Sequence, residues 1–177
     1  MNTVFLQREL DSCDRQQWRR ELAAPLVAKQ AGQLVKLFVF RAGAEWFGIE
    51  PPAVVLTEPM PPVHSVPQRG KALVGVVNLR GSVTLCFSIA DALHCLAGPV
   101  STRPMMVALV CDGWRVACRV DDVAGIRSFD RETLAEPPAT LACAATRHVI
   151  GMFRTDNASV AWLDPQKLFH TLQEAAR

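Results

Sequence analysis

Cysteine and histidine are the side chains of this sequence that could support nucleophilic or metal chemistry. The chain has six cysteines and four histidines, but it has no Cys-x-x-Cys pair, the unit from which zinc ribbons and thioredoxin-like sites are built. His148 follows Cys143 by five residues, yet a Cys–His nucleophile also needs hydrogen-bond contact and a third group that orients the base. Cys86 and Cys118 fall in apolar, strand-like runs, so we predict that both are buried structural side chains. The pattern predicts no metal ion, no cofactor and no catalytic thiol.

Carboxylates and known catalytic motifs give no stronger signal. The sequence contains no HExxH, GxSxG, P-loop or GxGxxG motif. Asp121 and Asp122 are adjacent after an apolar run, but neighbouring residues of a strand face opposite ways, so we interpret them as a solvated strand end. The sequence therefore predicts a protein that is not an enzyme and that functions through its surfaces.

A single arginine, Arg80, stands between two apolar runs that carry no charge, 72–77 and 82–89. It belongs to the segment 78–81, with the sequence NLRG, whose asparagine and glycine both tolerate turn geometry. Two interpretations remain open. The arginine could make a local salt bridge or backbone cap that stiffens the turn. It could instead present a rigid guanidinium to a carboxylate or carbonyl of a partner, a role that its planar fork suits.

The elements that position these residues are predicted to be mostly β strands. The clearest hairpin spans 105–120, because Asp112 and Gly113 favour the positive φ angles of a two-residue type I′ turn. That turn sets the register as Cys111 with Trp114, Leu109 with Val116 and Val107 with Cys118. We expect these residues on one buried face, and a partly wet second face that carries Arg115 and Arg119.

Further strand-like runs are spread over the chain. We predict strands at 34–40, 45–49, 72–77 and 82–89, a hairpin made by 148–153 and 159–163, and a short helix near 91–96. Residues 51–67 are rich in proline and are predicted to be irregular, apart from a short apolar island at 54–56. Asp164 can cap a closing helix that begins at Pro165.

Composition restricts the class of protein. Half of the 177 residues are hydrophobic and a fifth are charged, which suits a globular chain with a real core. The net charge of +2 comes from mixed acids and bases, whereas nucleic-acid binders usually cluster lysine and arginine. No apolar run is long enough for a transmembrane helix, and the N-terminus does not resemble a secretory signal. We therefore expect a cytoplasmic protein that binds no nucleic acid and does not insert into a membrane.

The first 32 residues differ in pattern from the rest. Their apolar residues follow an i, i+4 spacing that predicts an amphipathic helix; they are Leu6, Leu10, Trp18, Leu22 and Leu26. This helix could pack on the domain that follows, serve as a docking arm for another protein, or lie on a membrane surface. We predict a helical extension over 1–32 and a β domain over 33–177.

The sequence resembles the CheW family, the adaptor proteins of bacterial chemosensory arrays. The stretch LVGVVNLRGSVTLCFSI is similar to the central family motif, and CRVDDVAGI is similar to a later strand. The opening LFVFRAGAEWFGIE and the closing VIGMFRTDNASVAWLDPQKLF resemble the first and last hairpins. The match runs in order over residues 34–172. It implies a mostly β fold, a pair of small packed β-barrels with a C-terminal helix.

The resemblance also implies a function. Family members are not catalytic; they couple a CheA-type histidine kinase to methyl-accepting chemoreceptors and form rings with CheW-like domains, so other CheW-like proteins are possible partners. Arg80 corresponds to the motif arginine, with Asn78 beside it, while Val54 and Val123 match positions near the receptor groove. Leu56 lies in that groove strand. We therefore assign kinase and receptor binding to these five residues, and expect recruitment to membrane-associated receptor arrays.

The departures from the family pattern are informative. Many members carry proline and aspartate after the motif, where this chain has the segment 85–89, LCFSI. Leu56 stands where many members have glutamate. These changes favour an auxiliary adaptor of a specialised pathway, such as surface sensing, biofilm signalling or pilus motility. The alternative is an unrelated small β-barrel binding module or enzyme with a coincidental NLRG motif.

Overall fold

The computed structural model describes residues 34–67, 70–99, 101–137, 146–154 and 158–176. The predictions for residues 1–32 lie outside these ranges. Within them, two five-stranded sheets dominate and helices are few, so the predicted mostly β fold is confirmed. The elements are β1 (Leu34–Ala42), β2 (Glu45–Ile49), β3 (Val54–Pro59), β4 (Leu73–Leu79), β5 (Ser82–Ser88), α1 (Ile89–Ala92), β6 (Met105–Cys111), β7 (Trp114–Val120), β8 (Asp122–Asp130), β9 (Val149–Arg154), β10 (Ser159–Leu163) and α2 (Pro165–Ala175).

The two sheets share one strand layout. The first sheet has the order β8-β1-β2-β10-β9 and the second has the order β3-β6-β7-β5-β4. In each, two antiparallel hairpins meet through a parallel pair, β2 with β10 and β7 with β5, and a further antiparallel strand flanks the first hairpin. The strands of the second sheet are contiguous in sequence, inserted between β2 and β8 of the first sheet.

Each sheet closes on itself through one isolated bridge. After β8, the chain returns to the opposite edge of the first sheet, where Ala135 and Met152 exchange backbone hydrogen bonds of 2.9 and 2.8 Å. After β3, His64 and Val76 do the same for the second sheet at 2.9 and 2.8 Å. The bridges join the two edges of each sheet, which accords with the paired-barrel architecture that the resemblance implied.

Three apolar clusters follow from strand alternation. The first-sheet core comprises Leu37, Val39, Phe129, Phe153, Val160 and Trp162. The second-sheet core comprises Val77, Leu79, Cys86, Met106, Ala108 and Ala117. A larger shared core takes residues from both sheets and from α2, among them Phe38, Phe40, Phe47, Phe87, Leu109, Val116 and Phe169. Alternate residues of β1 thus serve the first-sheet core and the shared core.

The β6–β7 hairpin has the predicted register and turn. Cys111 pairs with Trp114, and Asp112 and Gly113 have φ angles of 49° and 78°. The second face is partly wet as predicted, because Arg115 and Arg119 are exposed there, although Met106, Ala108 and Ala117 of the same face are buried. The sheet curls around its own core, so the buried part of this face belongs to the interior of the second sheet.

Three sequence predictions need correction. Residues 54–59 form the regular strand β3 inside the segment predicted to be irregular. Asp122 does not end a strand but begins β8, a nine-residue strand that pairs with β1. The short helix spans Ile89–Ala92, not 91–96, because the Ser88 hydroxyl caps it by accepting the Asp91 N–H at 3.3 Å.

The closing helix α2 begins as predicted. The carboxylate of Asp164 accepts the N–H groups of Gln166 and Lys167 at 3.0 and 3.3 Å, and Pro165 occupies the first turn, where no donor is needed. The helix buries Leu168, Phe169 and Leu172 in the shared core. In the described ranges, no helix is long and apolar enough to cross a membrane.

Removal of this cap should measurably weaken the fold. We expect Asp164→Ala to lower the free energy of unfolding by about 1 kcal/mol, because two N–H groups of the first turn lose their acceptor. Asp164→Asn keeps an acceptor oxygen and serves as the matched control. Urea denaturation of both variants measures the difference. An equal loss in the two variants would assign the effect to the ion pair between Asp164 and Lys167, at 3.7 Å, and not to the cap.

Candidate functional site

The NLRG segment forms the tip of the β4–β5 hairpin. Leu79 pairs with Ser82, so the turn consists of Arg80 and Gly81, with φ angles of 49° and 88°. The side chain of Asn78 accepts the Gly81 N–H at 2.7 Å. Asparagine therefore stabilises the turn through its side chain. The left-handed backbone, expected at asparagine and glycine, is adopted by Arg80 and Gly81.

The left-handed backbone conformation of Arg80 costs conformational free energy. A residue with a Cβ in the left-handed region is about 1–2 kcal/mol less stable there, whereas short polar residues such as Asp112 adopt it more readily. The Arg80 side chain is exposed and makes no hydrogen bond or ion pair with any described residue. The interpretation as a local salt bridge therefore has no partner within the described ranges, and the capping role belongs to Asn78. A strained backbone that is kept without a side-chain contact to any described residue points to function.

An exposed apolar side chain lies beside the arginine. Val83 pairs with Asn78 across the hairpin and is 79% exposed, whereas Thr84 and Cys86 of the same strand are buried. The hairpin tip thus combines a cation that has no partner among the described residues with an exposed apolar side chain. Sequence reasoning missed Val83 because a valine in an apolar strand has the same pattern whether it faces the core or solvent.

The predicted groove residues divide between two clusters. Val54 pairs with Leu109 in the second sheet and Val123 pairs with Phe40 in the first, and both are partly buried against the shared core. Leu56 packs instead against the second-sheet core. The structure therefore brings Val54 and Val123 to the same core from the two sheets, but it does not bring Leu56 to that core.

The residues that replace the family's proline and aspartate lie inside the protein. Cys86 belongs to the second-sheet core and Phe87 to the shared core, and both are fully buried. Ser88 caps α1. These departures therefore alter internal packing more than the surface of the hairpin.

Three of the four described thiols are poor nucleophiles. Burial raises the pKa of Cys86 to about 11. Burial, followed by the charges of Glu45, Asp121 and Asp91, raises the pKa of Cys95 to about 12. Burial also raises the pKa of Cys118, and Cys86 and Cys118 are fully buried as predicted. These thiols stay protonated at neutral pH, and only thiolates react readily.

Among the described residues, neither the Asp121–Asp122 pair nor His148 belongs to a catalytic constellation. The Asp121 carboxylate accepts the Gly43 N–H at 2.7 Å, and the Asp121 N–H donates to the Arg41 carbonyl at 2.8 Å. Asp121 is therefore a structural link to the β1–β2 turn and not a solvated strand end. His148 is buried and bonds the Thr171 hydroxyl at 2.7 Å, while Cys143 lies outside the described residues. No cluster of described histidines, cysteines and acids could hold a metal ion.

Comparison with known proteins assigns the domain. The family model of the CheW-like domain matches residues 36–173. The chain belongs to the CheW family. Its CheW-like domain is similar in structure to the crystal structure of the scaffolding protein TtCheW from Thermoanaerobacter tengcongensis, with 20% sequence identity and a TM-score of 0.66. That match covers 76% of this chain and 87% of TtCheW. No curated protein matches the sequence significantly. The family predicted from residues 34–172 is confirmed.

Proposed function

We propose that this CheW-like protein is a non-catalytic adaptor that couples methyl-accepting chemoreceptors to a CheA-type histidine kinase. The observation that carries the proposal is Arg80, an arginine in a strained backbone at a hairpin tip with no partner among the described residues. A planar guanidinium can make paired hydrogen bonds to a carboxylate of the kinase. Val83, exposed beside it, adds an apolar contact. Asn78 keeps the turn in place.

Receptor binding is proposed for the partly buried residues at the shared core. Val54 and Val123 pack on the shared core from different sheets, and an apolar side chain from a receptor helix tip would pack against this core. Leu56 contributes indirectly, by packing β3 against the second-sheet core. The protein would act in the cytoplasm, at membrane-associated receptor arrays.

We further propose that this adaptor serves a specialised pathway. Leu56 cannot make the ion pair that a glutamate offers, and the segment 85–89 replaces proline and aspartate with residues that pack internally. A receptor for this adaptor would therefore rely more on apolar contacts than on charge. That chemistry fits an auxiliary member that serves a dedicated receptor, for example in surface sensing, biofilm signalling or pilus motility.

Reconstitution tests the adaptor role. The full-length protein is mixed with the CheA-type kinase of its own organism and with membranes that contain the receptor, and kinase autophosphorylation is measured. We expect a three-component complex, and receptor control of the kinase that depends on the adaptor. Failure to bind kinase and receptor at about 100 µM, where interactions weaker than roughly 5 kcal/mol are lost, would overturn the proposal.

Two variants and a control separate the surfaces in this assay. We expect Val54→Ala and Val123→Ala to weaken receptor binding several-fold while kinase binding is kept, because each loses apolar contact area. Ile126→Ala, on the same strand as Val123 but 58% exposed, is the matched control. Equal weakening by all three would contradict a groove at the shared core.

A further inference from the structure

The first sheet contains an open cleft of about 450 Å³ between β1, β2, β8 and β10. Its lining is mainly apolar and aromatic: Val39, Trp46, Ala124, Phe129 and Val160. The volume lies in the range of small-molecule sites, which are mostly apolar with a few polar groups that orient the ligand. None of the surfaces proposed for kinase or receptor binding includes these residues.

Aromatic packing supports the walls of the cleft. Phe129 stacks on Phe153, with ring centroids 4.8 Å apart and an interplanar angle of 21°. Phe153 in turn stacks on Trp162 at 6.0 Å and 26°. Trp46 and Val160 are paired on adjacent parallel strands. A flat aromatic ligand would meet a preformed surface, so little free energy would be lost in ordering side chains.

A cation stands on the rim of the cleft. Arg127 also lines it, and its cross-strand partner is Leu37 of the first-sheet core, so its side chain emerges on the same side of β8 as Phe129. Arg127 is exposed and has no hydrogen bond or ion pair to any residue that the structure describes. A guanidinium that pairs with no described residue, at the rim of an apolar cleft, is complementary to a carboxylate carried by an apolar body.

We propose that this cleft binds a small aromatic carboxylate, with the ring against Phe129 and Trp46 and the carboxylate on Arg127. The concave shape encloses a ring on several sides, as a small ligand requires. The rim cation gives the site its preference for acids. The CheW-like domain would then carry a ligand site of its own, separate from its protein partners.

Calorimetric titration of the full-length protein tests the site with two matched probes, 2-naphthoate and the neutral 2-naphthalenemethanol. We expect saturable binding of both at one site, with the carboxylate bound about ten-fold more tightly, because a charge-assisted contact is added. Arg127→Gln should remove this preference while the neutral probe binds as before. Arg115→Gln, an exposed arginine of the second sheet, should leave the preference intact.

A variant that fills the cleft provides a second test of the ligand site. Ala124→Phe places a ring in the cleft and should abolish binding of both probes. Tryptophan fluorescence should respond to the probes in the parent but not in Trp46→Phe, which removes the indole that lines the cleft. The proposal is overturned if neither probe saturates below about 1 mM, if Arg127→Gln keeps the ten-fold preference, or if folded Ala124→Phe binds like the parent. A folding failure of Ala124→Phe leaves the Arg127→Gln arm decisive.

Discussion

Phe87→Ala is expected to lower the free energy of unfolding by about 3–5 kcal/mol, the typical cost of truncating a buried phenylalanine. Phe87 is fully buried in the shared core. Its ring packs edge-on against Trp114, with centroids 6.2 Å apart, and Trp114 packs against Phe169 of α2 at 5.6 Å. A cavity there removes contacts from strands and helix together. Because small domains are stable by only about 5–15 kcal/mol, the variant should be severely weakened.

Urea denaturation followed by circular dichroism and by tryptophan fluorescence measures this effect. Val83→Ala is the matched control, since Val83 lies on the same strand but faces solvent, and it should change stability by less than about 0.5 kcal/mol. We expect both probes to report one transition, because the shared core takes residues from both sheets. Two well-separated transitions in the Phe87→Ala protein would show that the sheets unfold independently and that the shared core is not the main link.

Arg80→Lys is expected to weaken kinase binding about ten- to hundred-fold, the effect of losing a charge-assisted contact worth roughly 1.5–3 kcal/mol. Lysine keeps the charge but lacks the paired donors of the guanidinium. Lysine also has the same backbone cost at the φ angle of 49°, so the melting temperature and far-UV circular dichroism should match the parent. Calorimetry against the kinase measures the affinity. Arg115→Lys, an exposed arginine elsewhere in the second sheet, is the control.

Arg80→Asn separates binding from strain. Asparagine tolerates the left-handed backbone and would create an Asn-Gly turn, so we expect it to stabilise the fold by about 1 kcal/mol while kinase binding is lost. A stability gain together with lost binding is the signature of an arginine retained for its partner. If Arg80→Lys binds the kinase like the parent, the proposed paired hydrogen bonds of the guanidinium are wrong. If either variant unfolds, Arg80 is structural.

Local signals explain what the sequence predicted well. The Asp112 and Gly113 turn determines the register of β6 and β7 without distant information, and Asp164 with Pro165 places the start of α2 within a few residues. Sequence reasoning recognised the NLRG turn for the same reason. The family motifs then supplied the architecture, which periodicity alone did not.

Non-local pairing explains what was missed. β8 carries Gly125 at a φ angle of 77° beside a register shift in its pairing with β1, so its apolar alternation is broken and only β1 makes it a strand. β3 is recognised as a strand only through β6. The exposure of Arg80 and the cleft beside Arg127 depend on which side chains pack together in three dimensions. No pattern along the sequence predicts that packing.

The insertion of the second sheet between β2 and β8 determines how this protein must be assembled during synthesis. The hairpin β1–β2 is synthesised before its neighbours β8 and β10, which follow the whole second sheet in the sequence, and Trp46 pairs with Val160. The second sheet, whose strands are contiguous, can close first. Until β8 is made, both outer edges of the β1–β2 hairpin stay unpaired, and the β2 edge stays unpaired until β10 is made. Long-range strand pairing forms slowly and leaves strand edges exposed to aggregation. The nascent chain is therefore prone to aggregate until the β9–β10 hairpin has been made.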